Sequence, residues 1–276
     1  MSMVARRFPA EWESLADGWL LWLRAAGRRD STLDTRRRRL NCFAYWVGKR
    51  PSMVTGDDCL AFIGRAGLAR ETRKALRSTL SDFFAWAFGN GLIPYNPVVG
   101  LPKVPQSRPH PRPCPDGVIL AALNRANRIE TLMLRLGAEC GLRRMEIARV
   151  HTDDVMRDLL GWSLIVTGKG DVQRIVPLPD DLALTIIEAD GYLFPGRFGG
   201  HVEESYVGKR LSALLGDGWT AHSLRHRYAT VTYDATHDLL LVQQLLGHAS
   251  VRTTQLYVAM TDARLRAGMD AVRLVV

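Results

Sequence analysis

The sequence predicts a mainly α-helical protein with a small β-hairpin (an α+β fold), organised as two domains joined by a proline-rich linker. Apolar residues recur at helical spacing over most of the 276 residues, and two β-branched runs in the second half flank a glycine-containing turn. Six of the 13 prolines fall between Pro102 and Pro115. Because proline fixes φ and lacks an N–H, that segment is neither helix nor central strand. We expect domains over 1–101 and 116–276, joined by a linker over 102–115.

Four helices are predicted before the linker, which makes the first domain a small bundle. Their ranges are about 11–27, 33–46, 57–64 and 71–88. Ser31 or Thr32 is a suitable N-cap for the second helix, and the Gly89-Asn-Gly91 turn ends the fourth. The residues expected to face the core of the second and fourth helices are Leu40, Phe43, Tyr45 or Trp46, Leu76, Leu80, Phe83, Phe84 and Phe88.

The second domain is predicted to mix helices with one hairpin. Helices are expected from Cys114 or Asp116 to Ala126 and over 129–140, with a short one from Glu146. Two strands follow over 162–166 and 172–176, and Gly168 and Gly170 favour a hairpin turn between them. The remaining predicted helices cover 206–215, 223–233, 239–246 and 253–258.

The charge of the chain is unusual and unevenly distributed. Lys and Arg number 37 against 28 Asp and Glu, which gives a net charge of +9 and a pI near 9.8. Such an excess indicates a polyanionic partner, either nucleic acid or an acidic membrane surface. Residues 1–110 carry 18 basic and 9 acidic side chains, whereas residues 111–276 carry 19 of each. The whole surplus therefore belongs to the first domain and its linker.

Two predicted helices carry most of these basic side chains. The residues are Arg36, Arg37, Arg38 and Arg39 on the second helix, and Arg70, Arg73, Lys74 and Arg77 on the fourth. A charge run on one helix is usually a solvated face. Two runs without compensating acids, in a domain of this charge, favour phosphate binding, so we predict that these eight residues bind DNA.

Several classes of protein are disfavoured. No apolar run approaches the length needed to span a bilayer, and Arg6 and Arg7 are not followed by the apolar region of a secretory signal. The four cysteines have no close pairing, so we predict reduced thiols in a cytoplasmic protein, with a zinc site or a disulfide as the less favoured alternatives. No cofactor and no metal are expected.

Five short motifs in the second half carry candidate catalytic residues, and each alone has an ordinary structural interpretation. The motif His222-Ser-Leu-Arg225-His226 lacks the glutamate that a zinc protease carries after its first histidine, because Ser223 stands there. Glu146 lies three residues after Arg143 and is suited to orient its guanidinium. The candidates, in chain order, are Arg143, Glu146, Lys169, His222, Arg225, His248 and Tyr257.

Taken together, these motifs resemble the tyrosine recombinase (phage integrase) family. The matching segments are Gly141-Leu-Arg143 with Glu146, the hairpin lysine Lys169, His222-x-x-Arg225-His226, Leu246-Gly-His248 and Tyr257. The first half is similar to the family in 71–77 and in Ile93-Pro-Tyr-Asn-Pro97. The resemblance implies a helical SAM-like bundle that binds core DNA, followed by a tyrosine-recombinase catalytic domain.

The residue types suit phosphoryl transfer at a DNA phosphodiester without metal or ATP. Arg143 and Arg225 can each bind the non-bridging oxygens through two hydrogen bonds, and Tyr257 is a suitable nucleophile. Lys169 fits as the general acid for the 5′-oxygen, which would leave a 3′-phosphotyrosyl intermediate. The resemblance adds that His222 assists proton transfer and that His248 hydrogen-bonds the phosphate.

The resemblance further implies a homotetramer acting on two double-stranded DNA sites, with an accessory DNA-bending or directionality factor left open. In the family a tail such as 261–276 packs on a neighbouring protomer; packing on its own domain is the alternative. The chain leaves no room for an N-terminal arm-binding domain, so we expect a minimal integrase of a phage, prophage or mobile element, acting at the nucleoid. The alternatives are a Xer-type chromosome-dimer resolvase, an integron-type integrase, a type IB topoisomerase-like enzyme and a catalytically inert DNA-binding protein.

Overall fold

A computed structural model describes residues 7–105, 111–168 and 172–247. The backbone divides into two compact units, Met1–Arg108 and Pro109–Val276. The predicted helix over 253–258 and the predicted tail over 261–276 lie outside the described residues. Within them, no helix is long and apolar enough to cross a membrane.

Helices α1 to α4 form the N-terminal unit, with the bounds Ala10–Ala25, Asp30–Val47, Gly56–Gly64 and Arg70–Gly89. Helix α2 begins before the predicted position because Arg29, rather than Ser31 or Thr32, is its N-cap. Thr55 and Asp58 form a capping box at the start of α3. Arg29 and Thr55 therefore mark where α2 and α3 begin.

Aromatic side chains fill the core of this unit. Trp12 of α1 stacks on Phe83 with ring centroids 5.7 Å apart and meets Phe43 edge to face at 5.8 Å. All three side chains are buried, as is Phe84. The expected inward positions of Tyr45, Trp46 and Phe88 are wrong, since these side chains are exposed. Tyr45 instead donates a hydrogen bond from its hydroxyl to the carbonyl of Arg7 at 2.8 Å.

The C-terminal unit contains one three-stranded sheet and, among its described residues, helices α5 to α11. The bounds are α5 Asp116–Leu123, α6 Arg128–Ala138, α7 Arg144–Ala148, β1 Val155–Arg157, β2 Trp162–Thr167, β3 Gln173–Leu178, α8 Asp180–Ile187, α9 Glu204–Leu215, α10 Ala221–Thr236 and α11 Leu239–Leu246. The sheet is antiparallel in the order β1-β2-β3, with Leu164 opposite both Val155 and Val176. The sequence predicts the β2–β3 hairpin but not β1, whose three residues are too few for a pattern.

Helices α6 and α10 pack closely where Gly137 faces Leu224. A Cβ on Gly137 would lie 2.9 Å from Leu224 Cδ1, so a larger residue at this crossing would make the Leu224 side chain shift. The crossing brings the end of α6 next to the first turns of α10. Gly141, which follows α6 with φ +62°, therefore lies beside α10.

Both described ends of the predicted linker contact their own unit. Arg77 donates hydrogen bonds to the carbonyls of Leu101 and Pro102 at 3.0 and 2.8 Å in the N-terminal unit. In the C-terminal unit, the guanidinium of Arg112 lies 4.2 Å from the centre of the Trp219 ring. The described parts of the segment, 102–105 and 111–115, contain neither helix nor strand, as their prolines predict, and each part is anchored to its own unit.

Candidate active site

A buried carboxylate, that of Glu146, lies at the centre of the candidate site. Glu146 belongs to α7, and Arg143 is the residue that caps this helix. The Arg143 backbone N–H donates to Oε2 at 2.8 Å, and its side-chain Nη1 donates to Oε1 at 2.8 Å. Arg174 of β3 donates from Nη1 to Oε1 at 2.9 Å and from Nη2 to Oε2 at 2.7 Å. Oε1 is thus bound by two guanidinium groups, and Oε2 is bound by one guanidinium group and one backbone N–H.

Glu146 is ionised in this environment. Burial alone would raise the pKa of its carboxyl. The hydrogen bonds and charge of Arg174, the Arg143 backbone N–H and the charge of Arg225 outweigh that effect and lower the pKa to about 2. One buried negative charge therefore orients several positive ones, as the three-residue spacing of Arg143 and Glu146 predicts.

Arg225 is fully buried and held by backbone carbonyls. Its Nη1 donates to the Gly141 carbonyl at 2.7 Å and lies 3.7 Å from Glu146 Oε2, and its Nη2 donates to the Leu246 carbonyl. The guanidinium therefore joins α10 to the loop after α6 and to the end of α11. Arg143 differs, because about a third of its side chain is exposed. Of the two arginines, Arg143 presents the more accessible guanidinium.

Gly141 makes room for a neighbouring aromatic ring. Its φ of +62° lies in the left-handed region, and a Cβ there would stand 2.5 Å from Tyr228 Cδ1. Its carbonyl is the one that Arg225 binds. The positive φ and the close Tyr228 ring thus explain why a glycine occupies the first position of the Gly141-Leu-Arg143 motif.

His222 lies in the first turn of α10 and is exposed. Its ring centroid is 4.6 Å from that of His226. Desolvation, and then the positive charges of His226, Arg225 and Arg143, lower the pKa of His222 to about 4. His222 is therefore neutral at pH 7 and able to take up a proton.

Three predicted site residues, Lys169, His248 and Tyr257, lie outside the described residues. The backbone next to two of them is described. Gly168 donates its N–H to the Val172 carbonyl at 2.8 Å, which closes the β2–β3 hairpin around residues 169–171. Gly247 ends α11 in the left-handed conformation.

Comparison with known proteins identifies the relatives of this chain. The model of the phage integrase family matches residues 118–264. The chain is 29% identical over 270 residues to tyrosine recombinase XerC of Xylella fastidiosa (strain M23), covering 89% of this chain and 91% of XerC. It is 28% identical over 276 residues to XerD of Pseudomonas aeruginosa, covering 89% and 92%.

The family model spans more than half of the chain. The protein belongs to the phage integrase family. It is therefore a tyrosine recombinase, an enzyme class that cleaves and rejoins DNA in site-specific recombination. The fold agrees with this assignment. A chain from the structure of a lambda integrase tetramer bound to a Holliday junction superposes on this protein with a TM-score of 0.67 at 20% identity. The match covers 86% of this chain and 77% of the lambda integrase chain.

Sequence reasoning missed Arg174, which binds the carboxylate at the centre of the candidate site. Along β3 the exposed and buried positions alternate, and Arg174 occupies a buried position between the exposed Gln173 and Ile175. An arginine at an inward position of a strand requires a buried acceptor. That alternation is a signal that could have identified it.

The basic residues of the N-terminal unit divide into two groups. Arg36 pairs with Asp82 at 2.6 Å and Arg37 approaches Asp17 at 3.9 Å, so the expectation of no compensating acids is wrong for these two. Like Arg77, Arg73 binds backbone carbonyls, donating to Ile63 at 2.7 Å.

The second group of basic residues consists of Arg38, Arg39, Arg70 and Lys74. Arg38 and Arg70 are exposed, whereas Arg39 and Lys74 are half-buried. Burial, followed by the charge of Arg36, lowers the pKa of Arg39.

Among the described residues, no group of three or more His, Cys, Asp or Glu side chains is placed to hold a metal ion.

Proposed function

We propose that this recombinase cleaves one strand of duplex DNA with Tyr257 and rejoins it through a 3′-phosphotyrosyl intermediate. The observation that carries the proposal is the arrangement of Arg143 and Arg225 around the ionised Glu146, which fixes two guanidinium groups on one side of the catalytic unit. With Arg174, the cluster holds three positive charges and one negative charge. The two remaining charges suit the pentacoordinate phosphate of the transition state.

The reaction begins when the Tyr257 phenolic oxygen attacks phosphorus. The bond from phosphorus to the 5′-oxygen breaks, and Lys169 gives that oxygen a proton. The phenolic proton passes to His222, whose ring is neutral at pH 7 in the DNA-free protein. The negative charge of the bound phosphate raises the pKa of His222 from about 4, which strengthens it as this base. Arg143, Arg225 and His248 hydrogen-bond the non-bridging oxygens. Rejoining reverses these steps and requires no ATP, because the phosphotyrosyl bond replaces the phosphodiester.

The two arginines would meet the phosphate differently. Arg143 is accessible as it stands, whereas the fully buried Arg225 reaches a phosphate only after some of the atoms that cover it move. DNA binding would therefore include a local rearrangement at the end of α11, where Arg225 binds the Leu246 carbonyl.

The experiment uses a pool of nicked duplexes in which the site sequence is randomised, so that cleavage traps the enzyme on DNA. We expect an adduct that survives SDS, forms in the presence of EDTA and is absent in Tyr257→Phe. Sequencing the trapped DNA then gives the recognition site. An adduct of equal yield in Tyr257→Phe would assign the nucleophile to another residue.

For the biological role, we propose integration and excision of a phage, prophage or mobile element, by a homotetramer on two DNA sites in the host cytoplasm. A tetramer is favoured by the likeness to the lambda integrase assembly. The second candidate, chromosome-dimer resolution, is favoured by the likeness to XerC and XerD. Deleting the gene separates them: accumulation of chromosome dimers supports the second candidate, and loss of excision of a flanking element supports the first.

A further inference from the structure

Arg174 is a buried arginine that takes no direct part in the proposed reaction. Only 6% of its side chain is exposed, and its guanidinium binds both oxygens of Glu146. Its third donor, Nε, binds the Leu245 carbonyl at 2.8 Å. One side chain on β3 thus contacts α7 and α11 together.

The acceptor on α11 is part of the last turn of that helix. The carbonyls of Leu245 and Leu246 have no partner within the helix and carry the negative end of its dipole. Arg174 binds the first and Arg225 the second. Both arginines also lie beside Glu146, so the end of α11 is held against the same carboxylate that orients Arg143.

The stem of Arg174 also packs on the residue that ends α11. Gly247 has φ +62°, and a Cβ there would lie 2.8 Å from Arg174 Cδ. In the sequence His248 comes directly after Gly247, and Tyr257 follows nine residues after His248. Arg174 itself follows Lys169 by five residues on the other side of the hairpin. In sequence order, Arg174 thus stands between the two segments that carry the remaining candidate catalytic residues.

We propose that Arg174 is a positioning residue for strand cleavage. It holds Glu146 in the orientation that aligns Arg143, and it holds the last turn of α11, from which the segment bearing His248 and Tyr257 continues. This proposal rests on the proposed function. A lysine could not replace it, because one ammonium group cannot reproduce a two-point contact with a carboxylate and a third contact with a carbonyl.

The test compares Arg174→Lys and Arg174→Met with Arg135→Met in the full chain. Arg135 is a matched control, since it also makes a two-point contact with one carboxylate, that of Asp181, and a further contact with Glu139, and neither acid belongs to the site. At saturating DNA we expect both Arg174 variants to form the adduct about 10- to 100-fold more slowly, with the Kd for the same duplex unchanged. The control should react at the wild-type rate.

Hydrogen exchange in the absence of DNA provides a readout independent of activity. The amides at the end of α11 should exchange faster in both Arg174 variants and at the wild-type rate in Arg135→Met. A double-mutant cycle with Glu146→Gln adds the second readout. If Arg174 acts through Glu146, the loss in the double variant is smaller than the product of the two single losses.

The outcomes separate the two proposals. A wild-type rate in Arg174→Lys, or multiplicative losses in the cycle, overturns the role of Arg174 and leaves the proposed function intact. A wild-type chain that traps no DNA from the randomised pool overturns the proposed function, and the reaction role of Arg174 with it. If Arg174→Met does not fold, Arg174→Lys retains the charge and decides the question.

Discussion

Glu146 and Arg174 form a two-point ion pair in which both side chains are buried, with nitrogen–oxygen distances of 2.9 and 2.7 Å. Removing charges from water is costly, and a buried pair offsets that cost only when its hydrogen bonds are complete. Here Arg143 supplies the remaining donors to the carboxylate. The pair is therefore a place where stability and the orientation of a candidate catalytic residue depend on the same atoms.

Glu146→Gln should destabilise the catalytic unit by about 3–5 kcal/mol at pH 7, because the buried cations lose the negative charge that compensates them. Urea unfolding followed by circular dichroism measures this difference. Glu139→Gln is the matched control. Glu139 is a partially exposed partner of Arg135, and its loss should cost about 1 kcal/mol or less. Equal losses in the two variants would contradict the assignment of Glu146 as the central charge.

The same carboxyl predicts an acid dependence. The pKa of Glu146 is lowered from 4.5 to about 2 in the folded chain. The stability that the ionised carboxylate contributes is thus complete above pH 4.5. It falls as the pH drops from 4.5 to about 2, and it is gone below about pH 2. The contribution is on the order of 3 kcal/mol. We expect the difference in the free energy of unfolding between wild type and Glu146→Gln to shrink as the pH falls from 5 to 2. Urea unfolding of both proteins at each pH measures it.

Gly141→Ala should destabilise the protein by more than the left-handed backbone conformation alone explains. An L-residue at φ +62° costs about 1–2 kcal/mol, and the 2.5 Å approach to Tyr228 adds an overpacking cost of roughly 1–3 kcal/mol. Gly48→Ala is the control, since Gly48 has a left-handed conformation with φ +60° and open space around it. Thermal unfolding should show the larger loss for Gly141→Ala. Equal shifts would mean that the Tyr228 ring moves aside without cost.

The sequence predicts those parts of the site that depend on local spacing. The contact between Arg143 and Glu146 follows from their three-residue separation, and the structure confirms it at 2.8 Å. The role of Arg174 depends on strand register and on a helix 71 residues away, which no local pattern contains. Arg73 illustrates another limit. Its acceptors are backbone carbonyls, which have the same chemistry in every residue and leave no signal in the sequence.

The charges around His222 predict its titration. In the DNA-free protein we expect a pKa of about 4, measured from the Cε1–H resonance by NMR, so the ring is neutral throughout the range from pH 6 to 8. Arg143→Met removes one of the neighbouring positive charges and should move the pKa up, toward 6.5. Arg227→Met is the control, because Arg227 pairs with Asp116 and is not among the charges that act on His222. An unchanged pKa in Arg143→Met would show that the two groups are not coupled.

Two pairs of arginines on the N-terminal unit should respond differently to substitution. Arg38 and Arg70 are exposed, whereas Arg73 and Arg77 donate hydrogen bonds to backbone carbonyls of their own unit. An exposed guanidinium is available to a phosphate, but one that binds backbone carbonyls of its own unit contributes to folding. The eight basic residues predicted to bind DNA can be sorted on this difference.

We expect Arg38→Ala and Arg70→Ala to weaken binding to nonspecific duplex DNA and to leave the unfolding temperature unchanged. Removing one arginine that neutralises a phosphate should reduce the slope of log Kd against log salt by about 0.9, measured by fluorescence anisotropy between roughly 50 and 200 mM salt. Arg73→Ala and Arg77→Ala should instead cost about 1–3 kcal/mol of stability, because each leaves backbone acceptors without their donor. Their salt slopes should match the wild type at temperatures where the variants remain folded. A reduced slope in Arg73→Ala, with full stability, would place that residue at the DNA and show that its hydrogen bonds to carbonyls are exchanged for phosphate on binding.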